Sequence, residues 1–549
     1  MALLASPPLL EADSPYIQTL ASAWYDIDGD GKLEFIDGNE YIDGDKIYRL
    51  DDNGNTQVIK TLNTKLRKPK ISRLSANLPL IVINRGKEEV YSIQKDYSLK
   101  QIQLPAIYTN DYYKRLETYY YPADFRGDGS LGIISHDKYG DTEFKIAYTL
   151  DADGNYQSDE LSIITWNEYK GIRSKLVLSD GGGLPSVAQG MFVGSSGGTS
   201  YGDLRSLDLN GDGLSDIFDA AGGRYYLNTG LGSFVQNTFG GKVTVRDLNA
   251  DGIVDFVVFD EKTLAIKLIL SDGPDNSREV DLLSGYYCNE RIWCYDFDND
   301  GDIDILVPLD RKPGRYNDNG GAFLVYFEND GKGNFKKSEN WIDDTYVRFF
   351  DCLDFDADGK YEILATKMQS DYDIYELCFY EIPGKKISNI AETIYTSNVK
   401  GSNDSMLTRT INTDNSGRIV ITAGSASSGL NAEYTHPIVY TTEKINQRPN
   451  APGKPQYMFN QEEGTLKVFW DAATDAETPT ADLTYELRVG TAPGLDDIVA
   501  ADALPDGRRR TMSLGANGHQ LYRTFNVSGW PAGKYYISVQ AVDPNMLGS

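Results

Sequence analysis

The chain has 549 residues, with 53 Lys+Arg against 81 Asp+Glu and a formal net charge of −28. That balance excludes a basic nucleic-acid surface or an anionic-membrane surface and favours cations or neutral partners. No apolar run approaches the ~20 residues a membrane-crossing helix needs, and the length predicts about three domains unless one is a repeat fold. The 53 Gly, 37 Tyr and 20 Phe, with few stretches of helical period, predict an all-β protein rich in turns.

Residues 1–14 read as a tail. They are apolar, but no cation precedes Lys32, so the basic region of an export signal is missing. From Asp26 a motif begins, "DIDGDGKLEFID", and it returns as "DLNGDGLSDIFD" at Asp208, "DLNADGIVDFVVFD" at Asp247, "DFDNDGDIDILVPLD" at Asp296 and "DFDADGKYEILATK" at Asp354. These five copies share D-x-[DN]-x-D-G-x-x-[DE]. Three weaker stretches, from Arg73, Asp124 and Asn412, have lost acids but keep the apolar run that follows. The one long step, from 124 to 208, contains the Gly/Ser-rich "SDGGGLPSVAQGMFVGSSGGTSYGD", which reads as an insertion.

Each copy follows a short β-type segment such as "KVTVRDLN" and precedes runs such as "DFVVFD", then a third strand and turn signals such as "NDGKGNF". A unit is therefore about four strands. Four-stranded units of roughly 40–55 residues are the signature of propeller blades, arranged radially so that no long sheet edge is bare. Eight starts predict an eight-bladed β-propeller over residues 15–445, with seven blades as the alternative if one weak copy forms none.

Acidic residues this close repel one another unless a cation sits among them. Oxygens at positions 1, 3 and 5 of a curled loop point inward, glycine at position 6 permits the turn, position 7 offers its carbonyl and position 9 a last carboxylate. The candidate ligands are Asp26, Asp28, Asp30, Lys32 and Glu34; Asp208, Asn210, Asp212, Leu214 and Asp216; Asp247, Asn249, Asp251, Ile253 and Asp255; Asp296, Asp298, Asp300, Asp302 and Asp304; and Asp354, Asp356, Asp358, Lys360 and Glu362. An all-oxygen set without His or Cys favours Ca2+ over zinc, copper or magnesium, at about five sites. An EF-hand would need Glu at position 12 and an exit helix, but Val258, Val307 and Ala365 stand there inside β-type runs. In "DFRGDGSLG" Arg126 takes position 3 and is expected to supply the positive charge itself, so no metal is expected there. The Arg126-Gly127-Asp128 tripeptide in the same stretch fills motif positions and carries no separate weight.

Four cysteines are too few to be the main support of so long a chain. Cys288 with Cys294, and Cys352 with Cys378, are read either as bridged pairs or as reduced core residues. "QRPNAPGKP" marks a linker over 446–455, and residues 456–549 carry four sandwich-type strands, with Trp470, Tyr535 and Tyr536 as expected core anchors.

These copies with their flanking strands resemble the FG-GAP/VCBS repeats of integrin alpha-subunit propellers and of many secreted bacterial proteins. The resemblance covers residues 15–445 and implies that calcium sits between the first two strands of a blade as a staple. Residues 456–549 resemble a fibronectin type III module, a β-sandwich; "LRVGTAPG" and "AGKYYISVQAVD" are similar to modules that follow such propellers in Bacteroidetes surface proteins. The chain left after Asp543 is short for a closing strand, so the natural protein is expected to continue beyond Ser549. Millimolar extracellular calcium suits such sites, which implies an extracellular or cell-surface location.

His136, His436 and His519 are scattered, and no G-x-S-x-G, H-E-x-x-H or P-loop pattern occurs. The expected function is therefore non-catalytic: a calcium-stabilised surface protein, within a cell-surface assembly, that binds a protein or glycan through its propeller face with the module as spacer. The alternative is a polysaccharide lyase, because some rhamnogalacturonan lyases are calcium-rich propellers with a fibronectin-like module; in those the module precedes the propeller. The tyrosine-rich loop 110–124 and the insertion at 180–203 are the candidate ligand loops.

Overall fold

In the computed structural model the chain is all-β. Its strands are joined by turns, a single 3-10 turn spans Thr480–Asp482, and no α-helix occurs among the described residues. The structure describes residues from 26 to 549; outside its description lie residues 1–25, 103–117, 168–203 and shorter stretches that include 124–131, 311–321, 383–390, 398–405 and 427–437. No helix there is long and apolar enough to cross a membrane.

Eight small antiparallel sheets follow one another along residues 34–61, 70–102, 118–167, 204–238, 241–284, 293–344, 347–397 and 406–441. Within each, spatial order follows chain order almost throughout, so each is a meander. The repeats explain this regularity. The starts at 208, 247, 296 and 354 all fall at the turn from the first to the second strand of their sheet, as Asp247–Asp255 does between Gly241–Arg246 and Asp255–Asp260, and Asn412 lies at the end of a first strand, Met406–Thr413; residues 73 and 124 lie outside the described residues. The corner from Asp26 runs into the strand Glu34–Asp37 in the same way.

The second strands carry unbroken apolar runs because both of their faces are covered. In the sixth sheet Ile305, Val307 and Leu309 pack with Val257, Phe259 and Leu268 of the fifth, while Leu306, alternating with them, packs with Ile363 and Ala365 of the seventh. Successive side chains of a strand point to opposite faces, so one strand contributes to two cores. Similar cores join the fourth sheet to the fifth and the first to the second. The outermost strand of the fifth sheet, Ser277–Ser284, is mostly exposed and polar, as suits an edge. Asn329 ties two neighbours together: its buried amide donates to the Leu248 and Ile303 carbonyls at 2.8 and 2.9 Å.

All four cysteines are buried as reduced thiols. Cys288 and Cys294 belong to the core between the fifth and sixth sheets, and Cys352 and Cys378 to the next one.

Residues 456–549 form two further sheets: strands Gln456–Asn460, Thr465–Phe469 and Tyr522–Asn526 in one, Thr484–Gly490 and Tyr536–Val542 in the other. Trp470, Tyr485, Leu487, Val489 and Phe525 fill the space between. Tyr535 packs at the edge of that core, whereas Tyr536 lies under the Lys534 ammonium, 4.6 Å from the ring centre. Within 446–455 the first residues are anchored. Asn446 is buried, its backbone N–H donating to the Gly417 carbonyl at 2.9 Å and its amide to Asp543 at 2.6 Å.

Asp543 is fully buried, and that burial pushes its carboxyl up to about 8 despite the hydrogen bonds from Asn446 and the Leu547 N–H. The folded state therefore favours the protonated acid. Its contribution to stability is fully present below the ordinary carboxyl range near pH 4 and is lost as pH rises through about 8. Asp543→Asn is expected to flatten that part of the stability-pH profile, measured by urea unfolding at pH values from 4 to 9.

Candidate metal centres

The corners build themselves from aspartate side chains folded back on their own backbone. The position-1 carboxylate takes the N–H groups of positions 5 and 6: Asp300 and Gly301 donate to Asp296 at 3.0 Å each, and Asp358 and Gly359 to Asp354 at 3.0 and 2.8 Å. Position 3 takes the N–H of position 5, as in Asp300 to Asp298 at 3.2 Å. Position 5 takes that of position 7, as in Lys360 to Asp358 at 3.0 Å and Ile253 to Asp251 at 2.8 Å. Each loop is thus a nest of Asx turns.

Two backbone positions pay for this curl. Glycine at position 6 has φ of 94° at Gly31, 86° at Gly252, 96° at Gly301 and 86° at Gly359. Position 4 is also left-handed in all five copies, at Gly29, Gly211, Ala250, Asn299 and Ala357. The motif treats position 4 as free, yet its small or Asn residues were the available signal.

The position-9 acid acts as a latch. Glu34, Asp216, Asp255 and Glu362 each accept the N–H of position 2, from Ile27, Leu209, Leu248 and Phe355, all at 2.8 Å. Asp304 instead takes the Tyr326 hydroxyl at 2.6 Å and the Asn329 N–H at 2.9 Å. Burial raises these carboxyls strongly, with neighbouring acids adding to it: Asp255 and Asp304 to about 7, Glu362 to about 10 beside Asp354 and Asp356. Asp354 itself is raised to about 7, mainly by burial. Groups in this state invite a cation.

Three corners bring side-chain oxygens together within 4.8 Å: Asp354, Asp356, Asp358 and Glu362; Asp296, Asp298 and Asp300; and Asp26, Asp28 and Glu34. At the Asp354 corner Asp356 Oδ1 is buried with no hydrogen-bond partner among the described residues, so an all-oxygen set keeps one acceptor aimed inward. That donor set fits a hard divalent ion such as calcium. In the copies with Asn at position 3 the amide itself donates to the position-5 acid, Asn210 to Asp212 at 3.1 Å and Asn249 to Asp251 at 3.0 Å. Their acids Asp208, Asp212 and Asp216, or Asp247, Asp251 and Asp255, do not form such a cluster. Leu214 lies outside the described residues, as do Arg126 and its tripeptide, residues 110–117 and 124, and the whole of 180–203; Thr118–Ala123, expected as part of a ligand loop, is a strand paired with Gly132–Tyr139.

The Asp26 corner holds a cation already. Arg49, directly opposite Glu34 across the hairpin, meets Glu34 at 2.6 Å, Asp28 at 2.8 Å and Asp30 at 3.0 Å.

The C-terminal module lies across these corners. Gln520 exchanges hydrogen bonds with the Asp208 backbone at 3.0 and 2.7 Å, and the Tyr522 hydroxyl donates to the Asp208 carboxylate at 2.7 Å. Asn545 donates to the Asp354 carbonyl at 2.8 Å, and Asn415, in the eighth repeat, exchanges two 2.8 Å bonds with the Arg509 backbone. At the middle sits Asp482, fully buried, taking Arg246 at 2.5 Å, the Tyr361 hydroxyl at 2.6 Å and the Asp296 N–H at 3.0 Å. Beside it a cleft of about 450 Å³ opens between the Asp296 corner and the module, lined by Asp296, Asn299, Asp300 and Gly301 against residues that include Thr480, Leu483 and His519. Among the described residues that line it there is no Lys or Arg.

No protein-family profile matches the chain, and no curated protein matches it in sequence. Solved structures resemble it only distantly. A fungal alcohol oxidase of the AA5 family in complex with copper aligns over 98% of this chain and 97% of its own at 12% identity and a TM-score of 0.37. An Agrocybe aegerita lectin that recognises non-reducing terminal N-acetylglucosamine aligns over 68% and 95%, at 11% and 0.34. The polysaccharide lyase Uly1 aligns over 80% and 93%, at 9% and 0.32. At these scores the likeness carries no functional argument.

Removing Asp482 leaves Arg246 buried without its carboxylate. Asp482→Ala is expected to cost about 3–5 kcal/mol in equilibrium unfolding and to raise protease sensitivity at the junction between module and corners. An unchanged unfolding midpoint contradicts this account of the docking.

Proposed function

We propose that this chain is a non-catalytic, calcium-stabilised protein of the cell surface or extracellular space, built as an FG-GAP/VCBS-type propeller of eight blades with a fibronectin type III-like module. It binds a protein or glycan partner through the propeller. The observation that carries the metal part is the Asp354 corner, where four acids converge and one buried oxygen has no protein partner. Neutralisation by a divalent ion is the simplest state in which that corner stays folded at neutral pH.

Support for the radial arrangement comes from the sheets themselves: consecutive meanders, cores shared between neighbours, and buried faces on both sides of the second strands. Because each sheet is a meander, the first-to-second turns all lie at one end and the second-to-third turns at the other. The module covers the first end. Partner binding is therefore assigned to the opposite end, where the turn 261–264 between strands Asp255–Asp260 and Ala265–Ser271 lies.

The lyase alternative needs a cation to hold a uronate carboxylate close to a base. Among its described lining residues the cleft beside the Asp296 corner has a histidine but neither Lys nor Arg, which favours binding over catalysis there.

Chelation is expected to lower the melting temperature by many degrees, because ions bound to the native state alone stabilise it by mass action and their loss restores the repulsion among carboxylates. Melting followed by circular dichroism with and without chelator checks this; coincident curves refute the metal assignment. Incubation with a glycan panel is expected to give binding without new ultraviolet absorbance, and the appearance of unsaturated products would instead establish the lyase.

A further inference from the structure

We infer that the first corner is neutralised by Arg49 in place of calcium, so that this copy of the acidic motif is a guanidinium-held joint and not a metal site. The inference rests on the calcium assignment of the other corners and refines it. Its basis is the way the three guanidinium nitrogens are spent. Nε donates to Glu34 Oε1 at 2.6 Å, one terminal nitrogen donates to Asp28 Oδ2 at 2.8 Å, and the other forms an ion pair with Asp30 Oδ2 at 3.0 Å. Those are positions 9, 3 and 5 of the motif, three of the four carboxylates that would surround an ion. A calcium ion needs its oxygens at 2.3–2.6 Å around one centre, and here that centre is filled by a planar cation with donors aimed outward in a fork.

The fork is held from a second side. Tyr97, in the turn between the third and fourth strands of the second sheet, donates its hydroxyl to Asp28 and accepts from Arg49, whose guanidinium lies 5.9 Å from the Tyr97 ring centre. Tyr97 has φ of 63°, a backbone state that non-glycine residues rarely adopt. Arg49 is only 16% exposed at its side chain and Glu34 is 0% exposed. The joint therefore links the first sheet to the second as well as closing its own corner.

Strand register explains why one copy is different. Glu34 and Arg49 are direct cross-strand partners, so their side chains share a face and meet. At the Asp354 corner the residue opposite Glu362 is Glu381, a like charge that cannot neutralise anything. One step beyond the pairs Phe256↔Ile269 and Ile305↔Phe327 lie Leu270 and Glu328. Among these described corners an arginine faces position 9 at the first alone, and the Asp296 and Asp354 clusters are left to an external cation.

The test is a calcium count on the full chain, by metal analysis after equilibrium dialysis at millimolar calcium, for four proteins. Asp356→Ala is expected to lose one equivalent relative to wild type. Asp28→Ala is expected to lose none, while its melting temperature falls by the same amount with calcium and with chelator. Arg49→Met is expected to gain one equivalent. Loss of an equivalent in Asp28→Ala, or no gain in Arg49→Met, overturns the inference; should Arg49→Met fail to fold, the Asp28→Ala count decides. Failure of the calcium assignment itself reads differently, as an Asp356→Ala count equal to that of wild type.

Discussion

The crowding of negative charge at the five acidic corners is the constraint around which the rest of the molecule is arranged. A turn this tight needs side-chain oxygens to occupy its own backbone N–H groups, and aspartate does so at positions 1, 3 and 5 with little loss of side-chain entropy. The N–H groups neutralise part of the charge through their dipoles. Burial, with neighbouring acids adding to it, still raises the carboxyls of Asp255, Asp304 and Glu362. The remainder is met differently from copy to copy: by a side-chain amide at Asn210 and Asn249, by a guanidinium at Arg49, and on the proposed reading by calcium at the Asp354 corner. One backbone solution thus tolerates several chemistries.

Fixing that turn fixes the register of the hairpin it begins, and register decides which apolar residues face which neighbour. In the sixth sheet a slip of one residue would exchange Ile305 and Val307 for Leu306, moving side chains from the core shared with the fifth sheet to the core shared with the seventh. There Asp304 is held by the Tyr326 hydroxyl and the Asn329 N–H, and at the other four corners the position-9 latch guards against such a slip. Its bond to the position-2 N–H joins the end of the first strand to the start of the second, so the corner and the two cores are set together.

Much of this was legible in the chain because the signals are local. The turn residues, the spacing of the acids and the apolar runs all lie within one repeat of each other, and the predicted starts at 208, 247, 296 and 354 coincide with first-to-second turns. What stayed hidden depends on contacts between distant residues. Arg49 sits 15 positions beyond Glu34, and its role needs the hairpin register. Asp482 looks like one more acid in a polar loop, yet it is the buried centre onto which Arg246, Tyr361 and the Asp296 backbone converge across more than a hundred residues of sequence. The "QRPNAPGKP" stretch carries no strand, and composition is silent about the anchoring of Asn446 on Gly417 and Asp543.

Docking of the module changes what the corners can do. A reactive metal site needs a path for substrate to the ion, whereas at this end Gln520, Tyr522, Asn545 and Asp482 lie on the corners that begin at Asp208, Asp354 and Asp296. Asp208 shows the consequence most directly, since one of its carboxylate oxygens is already committed to the Tyr522 hydroxyl and its backbone to Gln520. Burial there raises the tyrosine hydroxyl well above its ordinary range, with Asp208 adding to it, so Tyr522 remains a donor at any physiological pH. Acids spent on holding two domains together are poorly placed to turn over a substrate. The chemistry of this end is adhesive within the chain itself.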